Sequence, residues 1–204
     1  MEKYIYQASH SIPKPLCDDI IDLYESEDNR YIGTTVGGVN PTIKHTTDFI
    51  VPKSTKDTND RWSNIEQFLY KELNKHLNKY LDIVNQSEQY LPEQNHNHNV
   101  YMLKVSPLEV NSFMIQKYEK GQGMYIYHND YHVDYDTKRF RVITFLWYLN
   151  DVEEGGETEF WDTLKVQPEK GKLILFPFFW CFPHRGKMPI SDNKYIITGW
   201  FYLK

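Results

Sequence analysis

The stretch YHNDYHVD, residues 127–134, twice places an imidazole two positions before a carboxylate: His128 with Asp130, and His132 with Asp134. On a strand, positions i and i+2 share a face, so either pair can grip a metal ion from one side. A third ligand stands far downstream in FPHRGKMPISDNKYIITGW, where His184 is followed ten residues on by Lys194. Two imidazoles and one carboxylate on one face of a metal leave positions open, as in non-haem Fe(II) sites. Zinc competes for such ligands, usually in tetrahedral geometry. Lys194 tips the balance towards iron. A buried cation is costly unless an anion meets it, and a dicarboxylate cosubstrate would supply that anion. The plainer readings are polar residues beside a loop and a strand-end lysine in solvent.

Ligands so far apart in sequence must be brought together by the fold, and the composition favours strands. Of 204 residues 40% are hydrophobic and 16% aromatic, enough for a sizeable core without disulfides. Sixteen Tyr and eleven Phe favour strands. A net charge of −5 with no long basic run disfavours nucleic acid. No stretch approaches the roughly 20 apolar residues of a membrane span. The N-terminus, MEKYIYQASHSIP, lacks the apolar core of a signal peptide. Cys17 and Cys181 lie far apart without a pairing pattern, so buried free thiols and a cytoplasmic setting are expected.

The first half, residues 1–99, reads mostly helical. SIPKPLCDDIIDLYESEDN carries Leu16, Ile20, Leu23 and Tyr24 at helical spacing behind Pro13 and Pro15. Residues 59–86 are the clearest helix. Trp62, Ile65, Leu69, Leu73, Leu77, Tyr80, Leu81 and Val84 form the apolar stripe, and Glu66, Lys71, Asn74, Lys75 and Asn78 the polar face. A Gly/Thr/Asn/Pro-rich turn fills 33–42, a short strand is expected at 46–53, and 87–99 is a polar connector. From residue 100 the period becomes two. Strands are expected near 112–118, 124–130, 139–149, 156–161, 172–176, 179–184 and 194–203. Short strands without intervening helices imply an antiparallel double-sheet jelly roll. The expected fold is therefore α+β with a mainly β core (100–204), the N-terminal helices packed outside one sheet, and one domain over 1–204.

The segments YEKGQGMYIYHND, RVITFLWYLND, GGETEF, VQPEKGKLILFP and HRGKMPISDNKYIITGW occur in that order between residues 118 and 200. Together they resemble the prolyl 4-hydroxylase-like branch of the 2-oxoglutarate/Fe(II)-dependent dioxygenases. The N-terminal half matches only loosely, through IPKPLCDDIIDLYE and the helix preceding the barrel. The resemblance implies a double-stranded β-helix with iron at one mouth. Its Tyr-rich approach, with Tyr118 ten and Tyr125 three residues before His128, favours His128 and Asp130 as ligands beside His184. The spacing from His132 to Arg141 and Thr144 also looks familial. That segment is a loop, however, and loops tolerate insertions whereas a strand register does not. His132 and Asp134 would then sit at the mouth.

The resemblance further implies Fe(II) as cofactor, with 2-oxoglutarate and molecular oxygen as cosubstrates and ascorbate as an optional accessory. Lys194 would pair with the C5 carboxylate, with Tyr148 and, more weakly, Tyr118 and Thr198 assisting. Thr198 lies four residues after Lys194 and so on the same strand face. The reaction would give succinate, carbon dioxide and a hydroxylated substrate. A proline-containing peptide or protein is expected as substrate, with no nucleic-acid or membrane partner. Relatives act on other residues or small molecules. Segments 33–42 and 131–138 are candidate lids. Thr158 in GGETEF is expected to face the pocket; Trp200 reads as packing, His96 and His98 as a polar connector, and Cys181 as an inert thiol. The rival readings are a jelly-roll binding module without turnover and a zinc-dependent hydrolase, which would need a general base near the metal.

Overall fold

The computed structural model describes residues 1–55, 60–86, 107–134 and 138–203. Strand β1 (Tyr6–Ala8) precedes helix α1 (Lys14–Glu25); β2 (Tyr31–Ile32), β3 (Lys44–His45) and β4 (Thr47–Ile50) then lead to α2 (Arg61–Gln86). Next come β5 (Leu108–Val110), β6 (Met114–Tyr118), β7 (Met124–His128), β8 (Val133–Asp134) and β9 (Arg139–Tyr148). The chain finishes with β10 (Thr158–Phe160), β11 (Leu164–Val166), β12 (Leu173–Pro177), β13 (His184–Gly186) and β14 (Lys194–Leu203). Pro13 caps α1 and Pro15 lies in its first turn, where a missing N–H costs nothing.

The strands form two antiparallel sheets of a jelly roll. The larger runs β1-β12-β9-β14-β6-β4-β2, with β5 added on β14 and β8 on β9; the smaller runs β11-β10-β13-β7-β3. The near-continuous apolar runs of β9, β12 and β14 explain how the larger sheet is buried on both faces. In β9, Phe145 and Trp147 join one core cluster while Leu146 and Tyr148 join the other. Leu173 and Leu175 alternate in the same way with Ile174 and Phe176 in β12, as does Ile197 with Ile196 in β14. The first cluster also contains Cys17, Ile20 and Tyr24 of α1 and Trp62 to Val84 of the α2 stripe. The second includes Phe160 and Val166 of the smaller sheet and lies behind the candidate site.

Three expectations need correction. Residues 179–182 form a turn closed by Phe182 N–H donating to Phe179 O (2.9 Å), so His184 opens β13 instead of ending a strand over 179–184. The run FFWCFP shows no alternation, and Pro183 cannot donate to a ladder. Glu66 belongs to the buried set: its carboxylate accepts from the Ser54 N–H (2.7 Å) and hydroxyl (2.5 Å). Cys181 is only half-buried, although Cys17 is fully buried and burial pushes its thiol up to about 12. His96 and His98 lie outside the described residues. Among the described residues no helix is long and apolar enough to cross a membrane.

Candidate metal centre and its pocket

Antiparallel pairing places His184, the first residue of β13, directly opposite His128, the last of β7. The two rings lie 4.3 Å apart, centroid to centroid. Asp130, two residues past the end of β7, turns its carboxylate to both. Oδ1 lies 3.8 Å from Nε2 of His128, and Oδ2 lies 3.6 Å from Nε2 of His184. Ligand atoms from the three residues all fall within 4.8 Å of one another, the metal-type cluster found among the described residues.

Backbone carbonyls orient both imidazoles. Nδ1–H of His128 donates to Ile126 O (2.8 Å), and Nδ1–H of His184 to Phe182 O (3.1 Å). This places the proton on Nδ1 and leaves the Nε2 lone pair aimed at the centre, the usual way a ligand's tautomer is fixed. Tyr125 stacks on the His128 ring at 3.5 Å. Thr144, on β9 of the opposite sheet, donates to Asp130 Oδ2 (2.7 Å). Burial by itself would push the Asp130 carboxyl up; His184, His128, the Thr144 hydrogen bond and Arg141 hold it below the ordinary value. Burial, then the neighbouring His184, pulls His128 down to about 3, so it stands neutral. Two imidazole nitrogens and a carboxylate match the donor set of a facial iron site.

The centre opens into a pocket of about 330 Å³ whose far wall includes Lys194, Tyr118 and Thr158. Lys194, 1% exposed, is the cross-strand partner of Tyr118. Its Nζ donates to Gly156 O (2.9 Å) and lies 3.9 Å over the Tyr118 ring. Burial drives this lysine down to about 7, with Glu157 partly opposing. Gly186 leaves room for Tyr118: a Cβ there would come within 3.0 Å of its ring.

The remaining expected residues are placed variously. Tyr148 does not line the pocket; its hydroxyl donates to Thr158 Oγ1 (2.6 Å), and Thr158 forms the wall. Thr198 lines the pocket, but its hydroxyl donates to Phe145 O (3.0 Å). His132 is at the rim, and β8, which contains Asp134, pairs with β9. Trp200 forms pocket wall instead of core, with the Arg141 guanidinium stacked on it at 3.6 Å. Sequence reasoning missed the anchoring role of Thr144 and a buried ion pair in the wall, Lys44 with Asp48 (2.5 Å). Neither carries a local signal, since the first is a cross-sheet contact and the second joins two short strands.

A jelly roll with two histidines and a carboxylate at one mouth defines a class of metal-dependent oxygenases. Residues 113–202 match the model of the 2OG-Fe(II) oxygenase superfamily. Probable prolyl 4-hydroxylase 8 of Arabidopsis thaliana is 31% identical over 132 residues, 48% of this chain and 44% of that protein. Probable prolyl 4-hydroxylase 3 of the same plant is 36% identical over 116 residues, 42% and 40% respectively. The chain thus spans less than half the length of these curated relatives.

Among solved structures, the viral collagen prolyl hydroxylase of Paramecium bursaria Chlorella virus-1, in its 2OG complex, superposes with a TM-score of 0.64. It is 18% identical, and 98% and 96% of the two chains are covered. A Trichoplax adhaerens prolyl hydroxylase, in complex with a hypoxia inducible factor peptide fragment, gives 0.67 at 18% identity, covering 98% and 84%. At these identities the likeness is one of fold. The sequence matches add that residues 113–202 are similar to the 2OG-Fe(II) oxygenase superfamily and to plant prolyl 4-hydroxylases.

Proposed function

We propose that the chain is an Fe(II)- and 2-oxoglutarate-dependent dioxygenase that hydroxylates a prolyl residue of a peptide or protein. One observation carries the reading: the His128, Asp130 and His184 cluster shares its pocket with a fully buried lysine that has no carboxylate of the described residues within ion-pair distance. His128 Nε2, Asp130 and His184 Nε2 would hold the iron. When bound, iron with 2-oxoglutarate and molecular oxygen supplies the oxidising chemistry and yields succinate, carbon dioxide and the hydroxylated substrate. The chain's own residues orient and enclose. Lys194 receives the C5 carboxylate, which restores its proton by pairing. The Tyr118 ring backs it, and Thr158, buttressed by Tyr148, and Thr198 shape that end.

The carboxylates lining the pocket among the described residues are Asp130 and Asp48, and Asp48 is committed to Lys44. A hydrolase would need a free base beside its metal, so this disfavours the zinc reading. The turn at 33–42 brings Thr34, Thr35 and Val36 to the pocket, and the other lid candidate brings Tyr131 and His132, its residues 135–137 lying outside the described residues. We further read residues 1–204 as one domain with α1 and α2 outside the larger sheet, on the strength of the core cluster they share.

Adding Fe(II) and 2-oxoglutarate without air should give a weak visible charge-transfer band. Air should then release succinate, faster with a proline-containing peptide, which gains one oxygen atom. Absence of both band and succinate would remove the oxygenase reading; succinate release stimulated only by proline-free substrates would remove the prolyl assignment.

A further inference from the structure

Lys44 and Asp48 form an ion pair whose side chains are 4% and 1% exposed, inside the pocket wall. Such a pair needs explaining, because replacing one with well-packed apolar groups is often neutral or stabilising. Its partners show what it holds. Asp48 Oδ1 accepts from the Thr46 hydroxyl (2.7 Å), while Oδ2 accepts from Lys44 (2.5 Å) and from Gln116 Nε2 (3.3 Å). Gln116 Oε1 in turn accepts from the Tyr118 hydroxyl (3.3 Å), beside Lys194. On the other side, Lys44 Nζ donates to Thr34 O (3.4 Å), at the root of the 33–42 turn.

Gly33 rests directly on this network. A Cβ there would meet Thr46 Oγ1 at 2.0 Å, Lys44 Cε at 3.0 Å and Asp48 Oδ1 at 3.2 Å, and its N–H donates to Thr46 O (2.8 Å). Beyond the root, Thr35 and Gly38 exchange backbone hydrogen bonds (3.0 and 2.9 Å), closing a tight tip that carries the exposed Val36. The tip has little packing of its own, so its place over the pocket depends on its root.

We propose that Asp48 is a positioning residue: through Lys44 it fastens the root of the 33–42 turn, and so sets the rim of the pocket that meets the second substrate. The chemistry at the metal does not pass through it. This role rests on the oxygenase reading only for its kinetic consequence; the fastening itself belongs to the metal-free protein.

Two variants test it, Asp48→Asn and the paired apolar replacement Lys44→Met with Asp48→Leu. The pair removes both charges and keeps the fold measurable if the single change leaves Lys44 stranded. In metal-free protein, amide exchange over 33–38 should quicken about tenfold or more, the loss expected of one charged hydrogen bond, while exchange in β9 and β14 stays unchanged. In the iron-loaded protein, the KM for a proline-containing peptide should rise about tenfold, a larger factor than any change in peptide-independent succinate release. Unchanged exchange over 33–38 in the double variant overturns the proposal. So does a fall in peptide-independent turnover at constant peptide KM, which would place Asp48 in the chemistry. If wild-type protein releases no succinate the functional reading fails, and the exchange comparison alone decides the fastening.

Discussion

Replacing Lys194 with Met should move cosubstrate affinity and stability in opposite directions. The ammonium is buried against the Tyr118 ring with one carbonyl partner, and its pKa falls from 10.5 to about 7. Because the folded value lies below the unfolded one, the unfolded chain holds this proton to higher pH. Folding therefore bears a penalty that is full below about pH 7 and vanishes as pH rises towards the unfolded value. That difference corresponds to about 5 kcal/mol at most. Methionine removes the penalty but strands Gly156 O, at a cost of about 1–3 kcal/mol. The net gain should be about 2–4 kcal/mol near neutral pH, roughly 5–15 °C in Tm for a chain of this size. The gain should shrink at high pH.

The same substitution leaves the C5 carboxylate of 2-oxoglutarate without its cation in a partly dry pocket. Breaking such a pair costs about 3–5 kcal/mol, or roughly two to three and a half decades in affinity. Iron affinity should stay within about threefold, because no ligand is touched. The assays are thermal unfolding of the metal-free protein across pH, succinate release against 2-oxoglutarate concentration, and iron titration. A Lys194→Met protein with wild-type affinity for 2-oxoglutarate would refute the cosubstrate assignment and reopen the hydrolase reading. A lower Tm at neutral pH would refute the claim that the lysine is held there at a cost to the fold.

The other expectations concern the centre itself. His184→Ala should abolish succinate release and raise the Kd for iron severely; full activity at limiting iron would remove it from the ligand set. Asp130→Ala should eliminate iron binding whereas Asp134→Ala leaves it intact, and the reverse pattern would transfer the site to the second His-x-Asp pair. Thr144→Val should weaken iron about 10- to 100-fold, as loss of a partner to a ligand does, with no change visible by circular dichroism. In the wild type, 2-oxoglutarate affinity should be flat below about pH 7 and fall by up to tenfold per pH unit above it. The free lysine loses its proton there, and the bound anion requires it. Lys194→Arg should abolish that slope even if the larger head weakens binding.

Much of the candidate site was legible because each of its three clustered residues lies on or beside a strand whose period the sequence shows. His128 closes a Tyr-rich strand, Lys194 opens the long final one, and a one-residue slip in either would turn its side chain to the other face. The helices were legible for the same reason, since α2 carries a stripe from Trp62 to Val84 that matches its buried face. Short strands were not. Tyr6–Ala8 and Leu164–Val166 are three residues each, too brief for alternation to register, and are strands because β12 and β10 offer open edges. Tyr148 shows a different limit. Its place in WYLND marks it for the cosubstrate's carboxylate, but it does not line the pocket, and its hydroxyl is spent on Thr158 and on Val166 O (3.3 Å).

The two sheets contribute unequally to the centre, and this accounts for what the sequence conceals. The smaller sheet supplies both imidazoles as direct neighbours on β7 and β13, each oriented by a carbonyl two residues upstream, so that part is local and readable. The larger sheet supplies Thr144 on β9, which holds the carboxylate, and the proposed anion end, Tyr118 on β6 and Lys194 on β14. These meet the centre only because the sheets face each other across the pocket. Thr144 is therefore silent in sequence, although its hydroxyl is the hydrogen-bond donor that fixes Asp130 Oδ2. Asp48 is silent for the same reason, since its partners Lys44, Thr46 and Gln116 lie on or between three different strands. Both residues hold a neighbour in place across a gap, and only the packed fold brings donor and acceptor together.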